Sequence, residues 1–126
     1  MYSAQLLDHF QNPRNAGEIS AADASAELSN PVCGDVLRIT MKVHEGRIAE
    51  IRFKAKGCVP VMACGSAITE LTLGKRIDEV REIDREDLIQ VVGGLPQASN
   101  HAAQLALDTL KAALDQIDSQ RTIPTS

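Results

Sequence analysis

Between Leu37 and Ala55 the chain alternates apolar and polar residues in two successive runs, and at Cys58 that period stops. Leu37, Ile39, Met41 and Val43 take one side against Arg38, Thr40 and Lys42. After His44-Glu45-Gly46 the alternation resumes, with Ala49, Ile51, Phe53 and Ala55 against Glu50, Arg52, Lys54 and Lys56. Successive side chains of a strand point to opposite faces, so the pattern predicts a half-buried antiparallel hairpin. From Pro60 the spacing becomes helical: Val61, Cys64, Ile68 and Leu71 share one face until Gly74. A hairpin with one apolar face, followed directly by helices, constrains the fold to a sheet covered on one side.

The remaining segments fit that frame. Ser3 can cap a short helix carrying Leu6, Leu7 and Phe10 on one face, closed by Pro13. Residues 14–25 carry no period and read as a connection, and a strand from near Ala26 leads to Cys33. Asp84 can cap a helix with Leu88, Val91 and Val92, ended by Gly93-Gly94. Ser99 or Asn100 caps a long helix through about Ile117, striped by Leu107, Leu110, Leu114 and Ile117. The expected fold class is α+β: a three-stranded antiparallel sheet with helices packed on one face. Residues 1–126 are expected to form one domain. His9 and His44 read as surface residues, on the first helix and in a turn.

Composition narrows the function. There is no Trp, and Tyr2, Phe10 and Phe53 are the aromatic residues, which argues against a base-stacking surface. A net charge of −4 gives no electrostatic reason for nucleic acid or an anionic membrane. No leader pattern and no apolar run near the roughly 18 residues of a membrane span is present, so a cytoplasmic location is expected. Three cysteines in a reducing compartment favour thiol or metal chemistry over disulfides.

Two of those cysteines have unusual neighbours. Cys33 lies in Asn30-Pro31-Val32-Cys33-Gly34-Asp35, and Cys58 in Lys56-Gly57-Cys58-Val59-Pro60. Each adjoins a glycine, which lets backbone approach an ion closely. Asp35 adds an oxygen donor, and His101 falls at the start of the last helix. Cys58 precedes a helix N-terminus, whose partial positive charge favours thiolate and predicts a lowered pKa. Thiolate, imidazole and carboxylate together suit tetrahedral zinc or an iron–sulfur cluster. Other readings stay open on spacing alone. The cysteines could be small buried hydrophobes, Asp35 a turn former and His101 a capping residue. Cys64 lies on an apolar stripe and reads first as core, second as an alternative ligand.

The motifs resemble those of the U-type iron–sulfur cluster assembly scaffolds, IscU and the N-terminal domain of NifU. The likeness runs from Tyr2-Ser3 through Asp8-His9-Phe10-Gln11-Asn12-Pro13-Arg14-Asn15 to Cys33-Gly34-Asp35. It continues through Arg52-Phe53-Lys54-Ala55-Lys56-Gly57-Cys58, Thr69-Glu70, Gly74-Lys75 and Lys111-Ala112-Ala113. No long insertion separates the middle helices, so the chain resembles the IscU and NifU branch more than the zinc-dependent SufU type. The resemblance implies an IscU/NifU-like fold, with Cys33 and Cys58 as cluster ligands and Asp35 as the neighbouring oxygen donor. The family's His-Cys pair on the last helix is His101-Ala102 here, so the third cysteine is missing. The family's Leu-Pro-Pro-Val-Lys chaperone motif is Leu95-Pro96-Gln97-Ala98-Ser99, which does not carry over docking of the specialised Hsp70.

The resemblance therefore implies a scaffold for a [2Fe–2S] cluster, binding iron or zinc, with Cys33, Asp35, Cys58 and His101 as the donor set. Zinc is the expected occupant on purification. The implied partners are a cysteine desulfurase and apo-protein recipients. Such a protein is a carrier and not an enzyme, and sulfurtransfer by Cys58 is a weaker reading. The rival reading is a divergent paralogue with a stable zinc site, acting as a regulatory or interaction module.

Overall fold

The computed structural model describes residues 2–31 and 34–122, with side chains to residue 118. Helix α1 (Ala4–Gln11) is followed by strands β1 (Ala24–Asn30), β2 (Asp35–His44) and β3 (Arg47–Lys56). Helices α2 (Val59–Thr72), α3 (Ile77–Arg81), α4 (Arg85–Val91) and α5 (Asn100–Thr122) complete the chain, with a 3₁₀ turn at Gln97–Ser99 before α5. The strands form a three-stranded antiparallel sheet in the order β1-β2-β3.

The hairpin forms as its alternation dictates, with one correction. Glu45 and Gly46 turn the chain with φ of 52° and 76°, the left-handed pair that suits the right-handed twist of a two-residue hairpin loop. Lys42 pairs with Glu50 but Val43 with Ile48, so Ala49 is an extra residue in β3. A bulge of this kind reverses the faces beyond it. Ile48 is buried, whereas Ala49, expected inside, is exposed, and Val43 is only half-buried.

Helix α2 packs against β3, and α5 packs against β1 and β2. Leu37, Ile39, Met41, Ile51 and Phe53 of the sheet meet Val61, Cys64, Ile68, Leu107, Leu110 and Leu114 of the helices. Burying each such large aliphatic or aromatic side chain contributes roughly 1.5–3 kcal/mol. Gly65 sets how close α2 comes: a Cβ there would lie 2.9 Å from Phe53 Cε2 and 3.1 Å from Leu37 Cδ1. On the opposite sheet face the Ile19 amide donates to the buried Thr40 hydroxyl at 3.0 Å. Residues 14–25 are therefore not a free connection. They also pair with the outer edge of β3, where the Gly17 amide donates to the Phe53 carbonyl at 2.8 Å and the Phe53 amide to the Asn15 carbonyl at 3.0 Å.

Two further expectations are corrected. Helix α3 has no counterpart in the sequence reading: one turn, with Ile77 and Val80 buried, is too short to show a period. His9 is buried, not at the surface. The Ser3 hydroxyl caps α1 by accepting from the Leu6 amide at 2.9 Å, and α1 lies on α2 with His9 turned inward and Leu7 outward. His9 Nδ1 lies 2.8 Å from Ser66 Oγ, which also accepts from the Arg14 amide at 2.8 Å. His44 is exposed, as expected.

Candidate metal centre

The end of the sheet at which β2 begins and β3 ends holds three donors from three elements. Asp35 is the first residue of β2, Cys58 is the N-cap of α2, and His101 lies in the first turn of α5. One ligand atom from each lies within 4.8 Å of the others. Cys33, the fourth residue of the expected set, lies outside the described residues.

Each side chain is held for a stated reason. Asp35 is 2% exposed, and its Oδ1 accepts from the Cys58 amide at 3.1 Å. That bond ties the start of β2 to the start of α2. Its Oδ2 lies 3.8 Å from Cys58 Sγ and 3.3 Å from His101 Nε2. His101 Nδ1–H donates to the Ala98 carbonyl at 3.1 Å, which turns the ring's other nitrogen toward Asp35. That Nε2 atom is buried and, among the described residues, makes no hydrogen bond; what it faces is the Asp35 carboxylate. A buried imidazole nitrogen that faces a carboxylate and is oriented by a backbone carbonyl on the ring's far side is the usual arrangement of a metal-binding histidine.

The distances fit a metal. Oxygen, nitrogen and sulfur donors bound at about 2.0–2.3 Å to one tetrahedral centre stand about 3.3–3.7 Å apart. The 3.3 Å and 3.8 Å separations from Asp35 Oδ2 match that spacing with little movement. The donors also differ in kind: a soft thiolate, an intermediate imidazole and a hard carboxylate.

Cys58 departs from expectation in its acidity. Desolvation of the thiol pushes its pKa up, and the Asp35 carboxylate adds to the rise. The backbone N–H groups of Val61 and Cys58 oppose this without overcoming it. The helix N-terminus is present as predicted, but desolvation of the thiol, with the Asp35 carboxylate adding to it, outweighs it. The thiol remains exposed, so it can trade its proton for a metal.

Cys64 stands apart. It is fully buried in the core, and its thiol is pushed up to about 12, chiefly by burial. Ala102, where a third cysteine would fall by resemblance, is 1% exposed and packs into the same core. Sequence reasoning missed the Ala98 carbonyl, because a backbone group that orients a histidine leaves no mark in residue type.

Fold and site motifs together define a class. The chain belongs to the NifU-like N terminal domain family, which it matches over residues 1–123. It is 44% identical over 114 residues to an iron-sulfur cluster assembly scaffold protein, IscU 1, of Archaeoglobus fulgidus, covering 90% of this chain and 74% of that one. It is 38% identical over 124 residues to the iron-sulfur cluster assembly scaffold protein IscU of Escherichia coli K12, covering 95% and 96%. The crystal structure of a NifU-like protein (N-terminal) from Brucella abortus superposes with a TM-score of 0.79 at 18% identity, covering 93% and 94%, and shares the fold. The family resemblance and the α+β architecture read from the sequence are both borne out.

Proposed function

We propose that this protein is a scaffold on which a [2Fe–2S] cluster is assembled and from which it passes to apo-proteins. The observation that carries the reading is the convergence of Asp35, Cys58 and the buried His101 Nε2 on one point. The scaffold relatives support it over a stable zinc module. Cys33, Asp35, Cys58 and His101 form the donor set, with zinc as the occupant on purification. Asp35 is the exchangeable member, since a carboxylate matches iron–sulfur chemistry less well than a thiolate. His101 stands in the place of a further thiol, its neighbour Ala102 being turned into the core.

The cluster is cargo on this reading, and the protein's work is holding and release without turnover chemistry. Exposure of Cys58 leaves the site open to a cysteine desulfurase that supplies sulfur and to the recipients. Residues 1–126 act as one domain, in the cytoplasm; no helix among the described residues is long and apolar enough to cross a membrane. Anaerobic reconstitution with iron and sulfide tests the reading, with visible absorption and iron and sulfide content as readouts. The protein is expected to take up a cluster that Cys58→Ser and Cys33→Ser abolish. A protein that binds zinc tightly but never takes up a cluster would overturn it.

A further inference from the structure

Strand β1 is paired with β2 on one side and, among the described residues, with no strand on the other. At Ser25 that outer side is taken by a side chain. Gln116 Oε1 accepts from the Ser25 amide at 3.1 Å, and Gln116 Nε2 donates to the Ser25 carbonyl. A primary amide from α5 thus supplies the acceptor and the donor that a residue of an added strand would supply. Peptide groups in an antiparallel strand face alternate sides, so those of Glu27 and Ser29 point the same way as those of Ser25. Both residues are exposed, and among the described residues no group takes their outward N–H and C=O.

We propose that the Glu27–Ser29 edge of β1 docks an extended segment of a partner protein as an added strand, in line with the Gln116 amide. The edge offers two N–H donors and two C=O acceptors, the groups read in strand addition. Charge selects among segments. Glu27 pairs across β2 with Arg38, but Arg38 is engaged by Glu18 at 3.4 Å, so a lysine or arginine on the incoming strand finds a carboxylate beside it. Gln116 bounds the edge at one end. At the other, Asn30 pairs with Asp35, so the docked segment runs toward the candidate metal centre. With strands about 4.8 Å apart, its end lies roughly 10 Å from β2 at Asp35. A segment carrying a thiol just beyond its docked stretch would be brought beside the donors. That delivery step rests on the scaffold reading, whereas docking does not.

The test uses metal-free, ¹⁵N-labelled protein and a blocked peptide, Ac-Thr-Val-Lys-Val-Thr-NH₂, at millimolar concentration. The amide signals of Glu27 and Ser29 are expected to shift and their hydrogen exchange to slow, with no such change on β3. The same peptide with alternate amides N-methylated is expected to have no effect, because it cannot complete the ladder. Ser29→Pro removes an N–H that faces away from β2, a change an edge strand tolerates, and is expected to abolish docking. If that variant does not fold, the N-methylated peptide decides. Gln116→Ala frees Ser25 and is expected to tighten binding about 3-fold or more, the worth of one modest hydrogen bond. No response at Glu27 and Ser29, an undiminished response to the N-methylated peptide, or unchanged or weaker binding by Gln116→Ala would each overturn the docking proposal. Delivery is read separately, as the rate of cluster transfer to an apo [2Fe–2S] ferredoxin. A slower rate for Ser29→Pro is expected. An equal rate with docking intact overturns delivery alone, and absence of any cluster on the unaltered protein overturns the scaffold reading instead.

Discussion

Gly57 and Asp35 touch backbone to carboxylate: a Cβ on Gly57 would lie 2.9 Å from Asp35 Cγ and 3.1 Å from its Cα. Gly57 also has φ of +148°, a conformation that L side chains rarely adopt. Both facts serve one bond, that from the Cys58 amide to Asp35 Oδ1. Only with residue 57 reduced to backbone can the end of β3 run close enough for the carboxylate to reach the helix start. Glycine at this position is therefore a requirement of the donor geometry.

Gly57→Ala is accordingly expected to cost at least about 2 kcal/mol, from the disfavoured backbone angle together with the clash. It should also displace Asp35 and weaken metal binding in whatever fraction folds. Urea unfolding and zinc titration of the metal-free protein measure the two effects. Wild-type stability and affinity in the variant would show that the contact does not organise the site.

His9 sets a pH dependence. Burial lowers its pKa, with the Arg14 charge acting the same way and Glu70 and Asp8 opposing. The unfolded chain then binds a proton more readily than the folded one. The neutral ring's contribution is present above the ordinary histidine pKa of about 6.5 and is lost as pH falls from there through the lower folded value. Denaturant midpoints are expected to drop on acidification from pH 7.5 to 5. The drop should be smaller in His9→Gln, which keeps a polar side chain without the titration. An equal drop in both proteins would assign the effect to other groups.

The sequence disclosed the features that repeat. Leu37, Ile39 and Met41 declared the inner face of β2, and Leu107, Leu110 and Leu114 that of α5, because periodicity over many residues outweighs any single one. It could not disclose the bulge at Ala49, where one extra residue reverses a face while both Ile48 and Ala49 remain apolar. Nor could it place His9. A histidine on a short helix carries no sign of burial until Ser66 and the Arg14 amide, from distant parts of the chain, are brought to it. Among the donors, Asp35 and Cys58 stood out by their glycine neighbours and motifs. His101 was legible only by position on the last helix, since the Ala98 carbonyl that orients it is backbone. The raised pKa of Cys58 was missed because a local rule, the helix N-terminus, met desolvation by the surrounding fold and a carboxylate from another strand.

Ala21 is a place where the chain can be improved. It is exposed and has φ of 58°, a left-handed conformation that a non-glycine residue adopts at a cost of roughly 1–2 kcal/mol. Glycine relieves that strain but gives the unfolded chain more freedom, which returns about 0.4–1 kcal/mol. Ala21→Gly is expected to raise stability by about 0.5–1 kcal/mol. The check is the urea midpoint at unchanged slope, and a lower midpoint would refute it.

The substitution pair His101→Ala and Cys64→Ser separates a histidine-completed site from a thiol-completed one. On the geometry, His101 Nε2 is buried and 3.3 Å from Asp35 Oδ2, whereas Cys64 lies in the core with a thiol that resists ionisation. His101→Ala is therefore expected to lower zinc affinity by about 10-fold or more, since the site loses an oriented donor and gains nothing in return. Cys64→Ser should bind zinc as the parent does, while losing about 1–3 kcal/mol for a hydroxyl buried in an apolar setting. Zinc content after dialysis against a weak chelator, together with unfolding curves for both variants, gives the answer. Zinc lost from Cys64→Ser and kept by His101→Ala would require α2 to turn its core thiol toward the site, and would overturn the donor set argued from Asp35, Cys58 and His101.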